Sequence, residues 1–181
     1  GDFTTGSWTN FHNPDFKLVS INAARFDVTK HRATPVVSDA KIGLLELSKV
    51  LGDWKAPDRW YQEAVKEARE WDQYVEKQSG PTNQELPSYA HAVGAVYRNA
   101  DSSDIVVTAA GGLVGEVAQI WKPKQINTFE TEWGYSCMGY EISGALGIKM
   151  AKPDQEVIVF IGDGSYLLNN SDIYSSILYE K

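Results

Sequence analysis

A run of five apolar residues followed at once by a glycine-flanked aspartate constrains this chain more than any other feature. Residues 157–161 have the composition of a strand buried on both faces. Gly162, Asp163 and Gly164 then turn the chain into an amphipathic stretch that predicts a helix. Because open α/β sheets bind ligands at the carboxyl ends of their strands, the segment predicts a ligand site at this turn.

The residue types in the turn suit an anion together with a divalent cation. Glycines let backbone N–H groups come close to an anion, and a carboxylate can hold the cation against it. Asp163 could instead only close the turn, but its position at the tip of a buried strand favours a metal ligand. An EF-hand is excluded because the further carboxylates of that loop are missing.

The composition excludes several classes of protein. A net charge of −7 argues against nucleic acid or an anionic membrane as the main partner. The single cysteine, Cys137, cannot form an internal disulfide and suits a reducing compartment, so we expect a cytoplasmic location. No apolar run is long enough to span a membrane, and the first ten residues contain no signal-peptide core.

The first part of the chain predicts two strands and two helices. Extended segments are expected from Lys17 and again around residues 35–37, and either Ser38 or Asp39 could cap the helix that follows. Residues 59–78 predict a long, highly charged amphipathic helix, which we interpret as a surface connector.

After residue 87, predicted helices and strands alternate. This alternation indicates a doubly wound, mostly parallel α/β sheet, and three strands are few for such a sheet, so we expect it to be incomplete. Gly139, Gly144 and Gly147 lie along one predicted helix, and we expect close packing to compensate for their cost. The predicted helices are 88–99, 113–121 and 137–150, and the predicted strands are 105–110, 126–129 and 157–161.

Other candidate functional residues could equally have structural or solvent-exposed roles. Gly111 and Gly112 do not fit the dinucleotide-binding fingerprint and predict a tight strand-to-helix turn that could contact a cofactor through backbone N–H groups. Cys137, at a predicted helix start, could have a lowered pKa, but a packed thiol is favoured because no base is nearby in sequence. Glu130 and Glu132 could be acid–base groups, although loop carboxylates are usually solvated. The histidines His12, His31 and His91 have no metal-ligand spacing.

Two motifs together resemble a known family. FETEWGYSCMGYEISGALG (129–147) and IGDGSYLLN (161–169) resemble the diphosphate-binding domain of the acetolactate synthase superfamily of thiamine diphosphate enzymes. Within it, GYSCMGYE with GDGSYL resembles the trihydroxycyclohexanedione hydrolase family of myo-inositol catabolism. DFTTGSW, SINAARFD and SDAK resemble the end of that family's middle domain.

The resemblance implies a domain organisation. Residues 1–55 are expected to end a Rossmann-like middle domain, and residues 56–87 to form a linker carrying the charged helix. Residues 88–181 are expected to be the first part of a thiamine diphosphate-binding domain, so the chain is expected to be a piece of an enzyme.

The resemblance also implies roles for residues. Asp163 would be a Mg²⁺ ligand, and Met138 would support the bent shape of the cofactor, a role that suits a flexible apolar side chain. Asn169 would not be the second metal ligand, which is expected beyond residue 181. The catalytic glutamate is expected in another domain, so no catalytic residue is assigned in this chain. The remaining expected cofactor contacts are Gly111, Gly112, Ser136, Cys137, Gly162, Gly164 and Ser165.

The implied activity is a thiamine diphosphate- and Mg²⁺-dependent hydrolysis. The cofactor would act as electron sink while a carbon–carbon bond of 3D-(3,5/4)-trihydroxycyclohexane-1,2-dione breaks to give 5-deoxyglucuronate. The implied partners are this cyclic dione and further copies of the chain, as a homodimer or homotetramer; these 181 residues alone would be inactive. The alternatives are an acetolactate synthase-like carboligase or decarboxylase and a non-catalytic diphosphate-binding domain, against which Asp163 and Met138 together argue.

Overall fold

A computed structural model describes residues 13–132 and 134–178, which divide into two compact α/β units. The first unit is Gly1–Glu63 and the second is Ala64–Lys181. His12 and the DFTTGSW segment, which carries part of the family resemblance, lie outside the described residues.

The first unit is built on two short parallel strands. Strands β1 and β2 pair in parallel, with Ile21 opposite Val36, so both extended segments predicted here are confirmed. The unit contains β1 (Val19–Asn22), α1 (Arg25–Val28), a 3-10 turn (Lys30–Arg32), β2 (Thr34–Val37) and α2 (Ala40–Leu51).

Helix α2 begins at a side-chain cap. The Asp39 carboxylate accepts hydrogen bonds from the backbone N–H groups of Lys41 at 2.9 Å and Ile42 at 3.2 Å. These bonds satisfy two donors that have no partner inside the helix. Of the two candidate caps, Asp39 is therefore the one used, while the Ser38 hydroxyl donates to the Asp39 carbonyl.

Helix α3 (Asp58–Ser79) is long and charged. It confirms the amphipathic helix predicted at 59–78. Exposed pairs four residues apart, Arg59 with Glu63 and Lys66 with Glu70, add modest support along its surface. No helix in the described ranges is both long and apolar enough to cross a membrane.

The second unit contains a parallel sheet with strand order β4-β3-β5. Val107 on the central strand β3 lies opposite Val159 on β5, so both strands end at the same edge of the sheet. The predicted parallel α/β arrangement is confirmed at this level. The elements are α4 (Tyr89–Asn99), β3 (Ile105–Thr108), α5 (Gly112–Ile120), β4 (Phe129–Thr131), α6 (Tyr140–Ala151), β5 (Val157–Val159), α7 (Asp163–Asn169) and α8 (Ser171–Leu178).

The hydrophobic core of this unit surrounds β3, in which every residue is buried. The Trp121 ring packs edge-on against Tyr97 and Phe160, with centroids 5.2 Å and 5.8 Å away. These contacts join the end of α5 to α4 and to the residue after β5. The core cluster is Val75, Ala90, Val93, Val106, Val117, Ile120 and Trp121.

Two strand predictions need correction. Strand β5 is three residues long and half-buried, not five residues buried on both faces, because within the described residues it pairs only with β3. Strand β4 begins at Phe129 instead of residue 126. Asn127 has a left-handed backbone with φ of +62°, which interrupts extended structure, and Ile126 is 90% exposed.

The glycine-rich helix α6 also begins later than predicted, at Tyr140 instead of residue 137. Gly139 has φ of +93°, a conformation outside the helix. It packs closely, since a Cβ built there would lie 2.9 Å from Asn169 Cβ, and one built on Gly144 would lie 2.9 Å from the Tyr140 ring. A Cβ on Gly147 would meet no described atom within 4 Å, so no close backbone packing within this chain compensates for that glycine.

Candidate cofactor-binding site

The parallel register brings two turns together at one edge of the sheet. The turn after β3 contains Gly111 and Gly112, and the turn after β5 contains the Gly-Asp-Gly sequence. Both turns line one cavity of about 460 Å³. The predicted site residues found in its lining are Gly111, Gly112, Met138, Gly162, Asp163, Gly164 and Ser165.

The glycines leave room for a ligand to approach the backbone. A Cβ built on Gly111, Gly112 or Gly162 would meet no described atom within 4 Å. Gly111 has φ of +86°, and no side chain caps the first N–H groups of α5. These N–H groups are therefore available to an anion, and the positive end of the helix favours one.

Asp163 is the carboxylate of this cavity and is exposed to it. One of its oxygens, Oδ1, accepts a hydrogen bond from the Gly164 N–H at 2.8 Å. The described residues contain no group of three or more His, Cys, Asp or Glu placed to hold a metal ion. An aspartate combined with phosphate oxygens and waters is a donor set that Mg²⁺ accepts, so the residues fit the implied ion.

The Met138 side chain lies against the Gly-Asp-Gly turn. A Cβ built on Gly164 would lie 3.2 Å from Met138 Cε. Met138 is 51% exposed and lines the cavity, so it is not an ordinary core residue. Its thioether forms an apolar wall beside the polar turn.

Ser136 and Cys137 do not line the cavity with Met138 but belong to a loop held by Glu132. The two carboxylate oxygens of Glu132 accept hydrogen bonds from the N–H groups of Tyr135 at 2.8 Å and Cys137 at 2.7 Å. The bond from Cys137, followed by that from Tyr135, lowers the pKa of Glu132. Ser136 adopts φ of +53° inside this loop. Glu132 therefore shapes the approach to Met138.

The thiol of Cys137 is neither a packed thiol nor a thiol with a lowered pKa, the two alternatives predicted from the sequence. It is exposed, so it is not a packed thiol. Its pKa is raised, first by partial desolvation and then by the negative charge of Glu132. A lowered pKa is therefore wrong, because the residue precedes α6 without joining it and a carboxylate lies beside it.

His91 has a structural role. Its ring Nδ1 accepts a hydrogen bond from the Ser88 backbone N–H at 3.1 Å. The backbone N–H of His91 donates to the Ser88 hydroxyl at 3.3 Å. This reciprocal pair caps α4. Tyr89, the first residue of that helix, lines the cavity.

Glu141, which was not among the predicted site residues, is completely buried. Its Oε1 accepts a hydrogen bond from the Ala110 N–H at 3.2 Å, and its Oε2 accepts one from the Gly139 N–H at 3.0 Å. The sequence signal that could have indicated Glu141 was a carboxylate in the first turn of a helix that consists mostly of apolar and small residues. A further hydrogen bond joins α7 to Gly139, because the side-chain amide of Asn169 donates to the Gly139 carbonyl at 3.3 Å.

The comparisons with known proteins agree with this geometry. Residues 109–180 match the family model described as "Thiamine pyrophosphate enzyme, C-terminal TPP binding domain". Over these residues the chain is therefore similar to the cofactor-binding domain of thiamine pyrophosphate enzymes.

Similarity to particular proteins extends over nearly the whole chain. Proteins named 3D-(3,5/4)-trihydroxycyclohexane-1,2-dione hydrolase from Geobacillus thermodenitrificans and Clostridium tetani are 34% and 35% identical to it, each over 97% of this chain. One of the same name from Lacticaseibacillus casei is 35% identical over 99%. The matched regions are 30%, 31% and 32% of those proteins, so the chain spans about a third of their length.

Proposed function

We propose that this chain is the diphosphate-binding part of an enzyme that uses thiamine diphosphate and Mg²⁺ to hydrolyse a carbon–carbon bond of 3D-(3,5/4)-trihydroxycyclohexane-1,2-dione, yielding 5-deoxyglucuronate. The observation that carries the proposal is the single cavity where the β3 and β5 turns meet, with Asp163 and Met138 in its walls. The name shared by its relatives supports the choice of substrate.

Each wall of the cavity has a separate task in this proposal. The free N–H groups of Gly111, Gly112 and the Gly-Asp-Gly turn would bind the diphosphate, and Asp163, which also accepts the Gly164 N–H, would hold Mg²⁺ against it. Met138 would support the rings of the cofactor. When bound, the cofactor supplies an electron sink for the carbon–carbon cleavage. Ser136 and Cys137 stay predictions as cofactor contacts.

The proposal extends to the surrounding architecture. Residues 88–181 are the first part of a doubly wound diphosphate-binding domain, residues 1–55 end a Rossmann-like domain, and residues 56–87 link the two. The parallel pairing in both units supports this assignment. The natural full-length protein is proposed to act in the cytoplasm as a homodimer or homotetramer.

Substrate consumption by the natural full-length protein tests the proposal. With both thiamine diphosphate and Mg²⁺ present, we expect the cyclic dione to be consumed and pyruvate to be left unchanged. Consumption of pyruvate instead would identify a carboligase or decarboxylase. Absence of cofactor binding in a calorimetric titration would favour a non-catalytic domain.

Substitution of Met138 separates support of the cofactor from simple space filling. Because Met138 is half-exposed, Met138→Ala should lower the free energy of unfolding by only about 1 kcal/mol. Diphosphate contacts lie elsewhere, so binding should persist, while proton–deuterium exchange at C2 of the bound cofactor should slow about 10- to 100-fold. Met150→Ala, at an exposed position near the end of α6, is the matched control. Exchange at the wild-type rate in Met138→Ala would reject the supporting role.

A further inference from the structure

The two walls of the cavity are connected by one buried carboxylate. Glu141 is 0% exposed, and its two oxygens accept hydrogen bonds from different segments of backbone. Ala110, the first donor, directly precedes Gly111 and Gly112 and itself lines the cavity. Gly139, the second donor, directly follows Met138. The carboxylate therefore bridges the turn after β3 and the loop that carries Met138.

Burial of a carboxylate is costly unless the charge is stabilised. Here the two backbone N–H groups supply hydrogen bonds at 3.2 Å and 3.0 Å. Glu141 also lies in the first turn of the 12-residue helix α6, where the helix dipole favours negative charge. Each of the two backbone N–H groups requires an acceptor, and a carboxylate offers one oxygen to each. A side-chain amide of the same size would offer one acceptor and one donor.

We propose that Glu141 is a positioning residue that sets the separation of the two cavity walls and so prepares the cavity for its ligand. The identity of the ligand as thiamine diphosphate rests on the proposed function. The bridge itself does not, because it joins parts of this chain alone. Glu141 touches no ligand in this assignment and acts through Gly111, Gly112 and Met138.

Glu141→Gln in the natural full-length protein is the first test. The substitution keeps the size of the side chain but turns one bridging acceptor into a donor facing an N–H group. Without cofactor, hydrogen exchange at the Ala110 or Gly139 amide should speed at least about 10-fold relative to wild type. Glu156→Gln, the same change at an exposed position, should leave both amides unchanged.

Cofactor affinity distinguishes positioning from general stabilisation. We expect Glu141→Gln to raise the Kd for thiamine diphosphate with Mg²⁺ about 10-fold in calorimetry. Val93→Ala provides a destabilised control, because Val93 is a fully buried core residue that does not line the cavity. It should lower the thermal midpoint while leaving the Kd near that of wild type.

Each outcome decides the assignment. Equal Kd values for Glu141→Gln and Val93→Ala would overturn the positioning role, as would unchanged exchange at both amides in Glu141→Gln. If Glu141→Gln does not fold, hydrogen exchange in the wild-type protein still tests whether Glu141 bridges the two segments. Rapid exchange at the Ala110 or Gly139 amide would overturn the bridge, and protection of both amides would support it. If wild type does not bind thiamine diphosphate, the proposed function fails, whereas the exchange comparison still decides the bridge.

Discussion

Replacement of Asp163 by asparagine in the natural full-length protein is expected to weaken thiamine diphosphate binding in the presence of Mg²⁺ by more than about 100-fold. Even groups that only support metal ligands contribute about 10- to 100-fold to metal affinity, and Asp163 is proposed as a direct ligand. It is the one carboxylate that lines the described cavity. Its loss leaves the cation balanced by the diphosphate alone.

Calorimetric titration with and without Mg²⁺ makes this test specific. When a chelator removes Mg²⁺, wild type and Asp163→Asn should bind the cofactor with similar, weak affinity. A difference of the same size without Mg²⁺ would mean that Asp163 acts on the turn instead of the metal, since its Oδ1 accepts a hydrogen bond from the Gly164 N–H. Asp154→Asn, at an exposed position between α6 and β5, is the control and should bind as wild type does.

The largest expected loss of stability comes from Gly94→Ala. A Cβ built on Gly94 would lie 2.1 Å from the Ser79 carbonyl oxygen, which is backbone and cannot rotate away. That carbonyl also accepts a hydrogen bond from Arg98 Nη1 at 2.6 Å. The end of α3 would have to move away from the middle of α4, so we expect the free energy of unfolding to fall by about 3 kcal/mol.

The matched control for this change is Gly147→Ala. Gly147 lies inside helix α6, and a Cβ there would meet no described atom within 4 Å. Alanine costs less conformational entropy than glycine in a helix, so this variant should gain about 0.5–1 kcal/mol. Denaturant unfolding of the natural full-length protein measures both changes. Equal midpoints for the two variants would contradict the close contact between α3 and α4.

Local signals were sufficient to predict most of the helices and strands. The charged helix α3 and the helix α4 follow from periodicity, and α2 follows also from the candidate cap Asp39 at its start. Two of the misplaced element ends, the starts of β4 and α6, are next to left-handed backbone at Asn127 and Gly139. An asparagine adopts that conformation only when its surroundings require it, so sequence alone does not locate it.

The candidate site was predictable where one turn carried the chemistry and unpredictable where distant segments cooperate. The residue types of the Gly-Asp-Gly turn are by themselves sufficient to predict a site for an anion and a metal. The Glu141 carboxylate accepts a hydrogen bond from the Ala110 N–H, 31 positions earlier in the chain. Its burial depends on how α6 lies against the tip of β3, which no local pattern specifies.

The walls of the cavity come from four separate stretches of chain, around Tyr89, Gly111, Met138 and Asp163. The cavity therefore exists only when β3, α6 and β5 have all assembled. A ligand that binds there binds the folded form and not the unfolded chain, and by mass action it adds RT ln(1 + [L]/Kd) to the stability of the second unit as a whole. Supply of the ligand would then govern how long this unit survives proteolysis, apart from any effect on its chemistry.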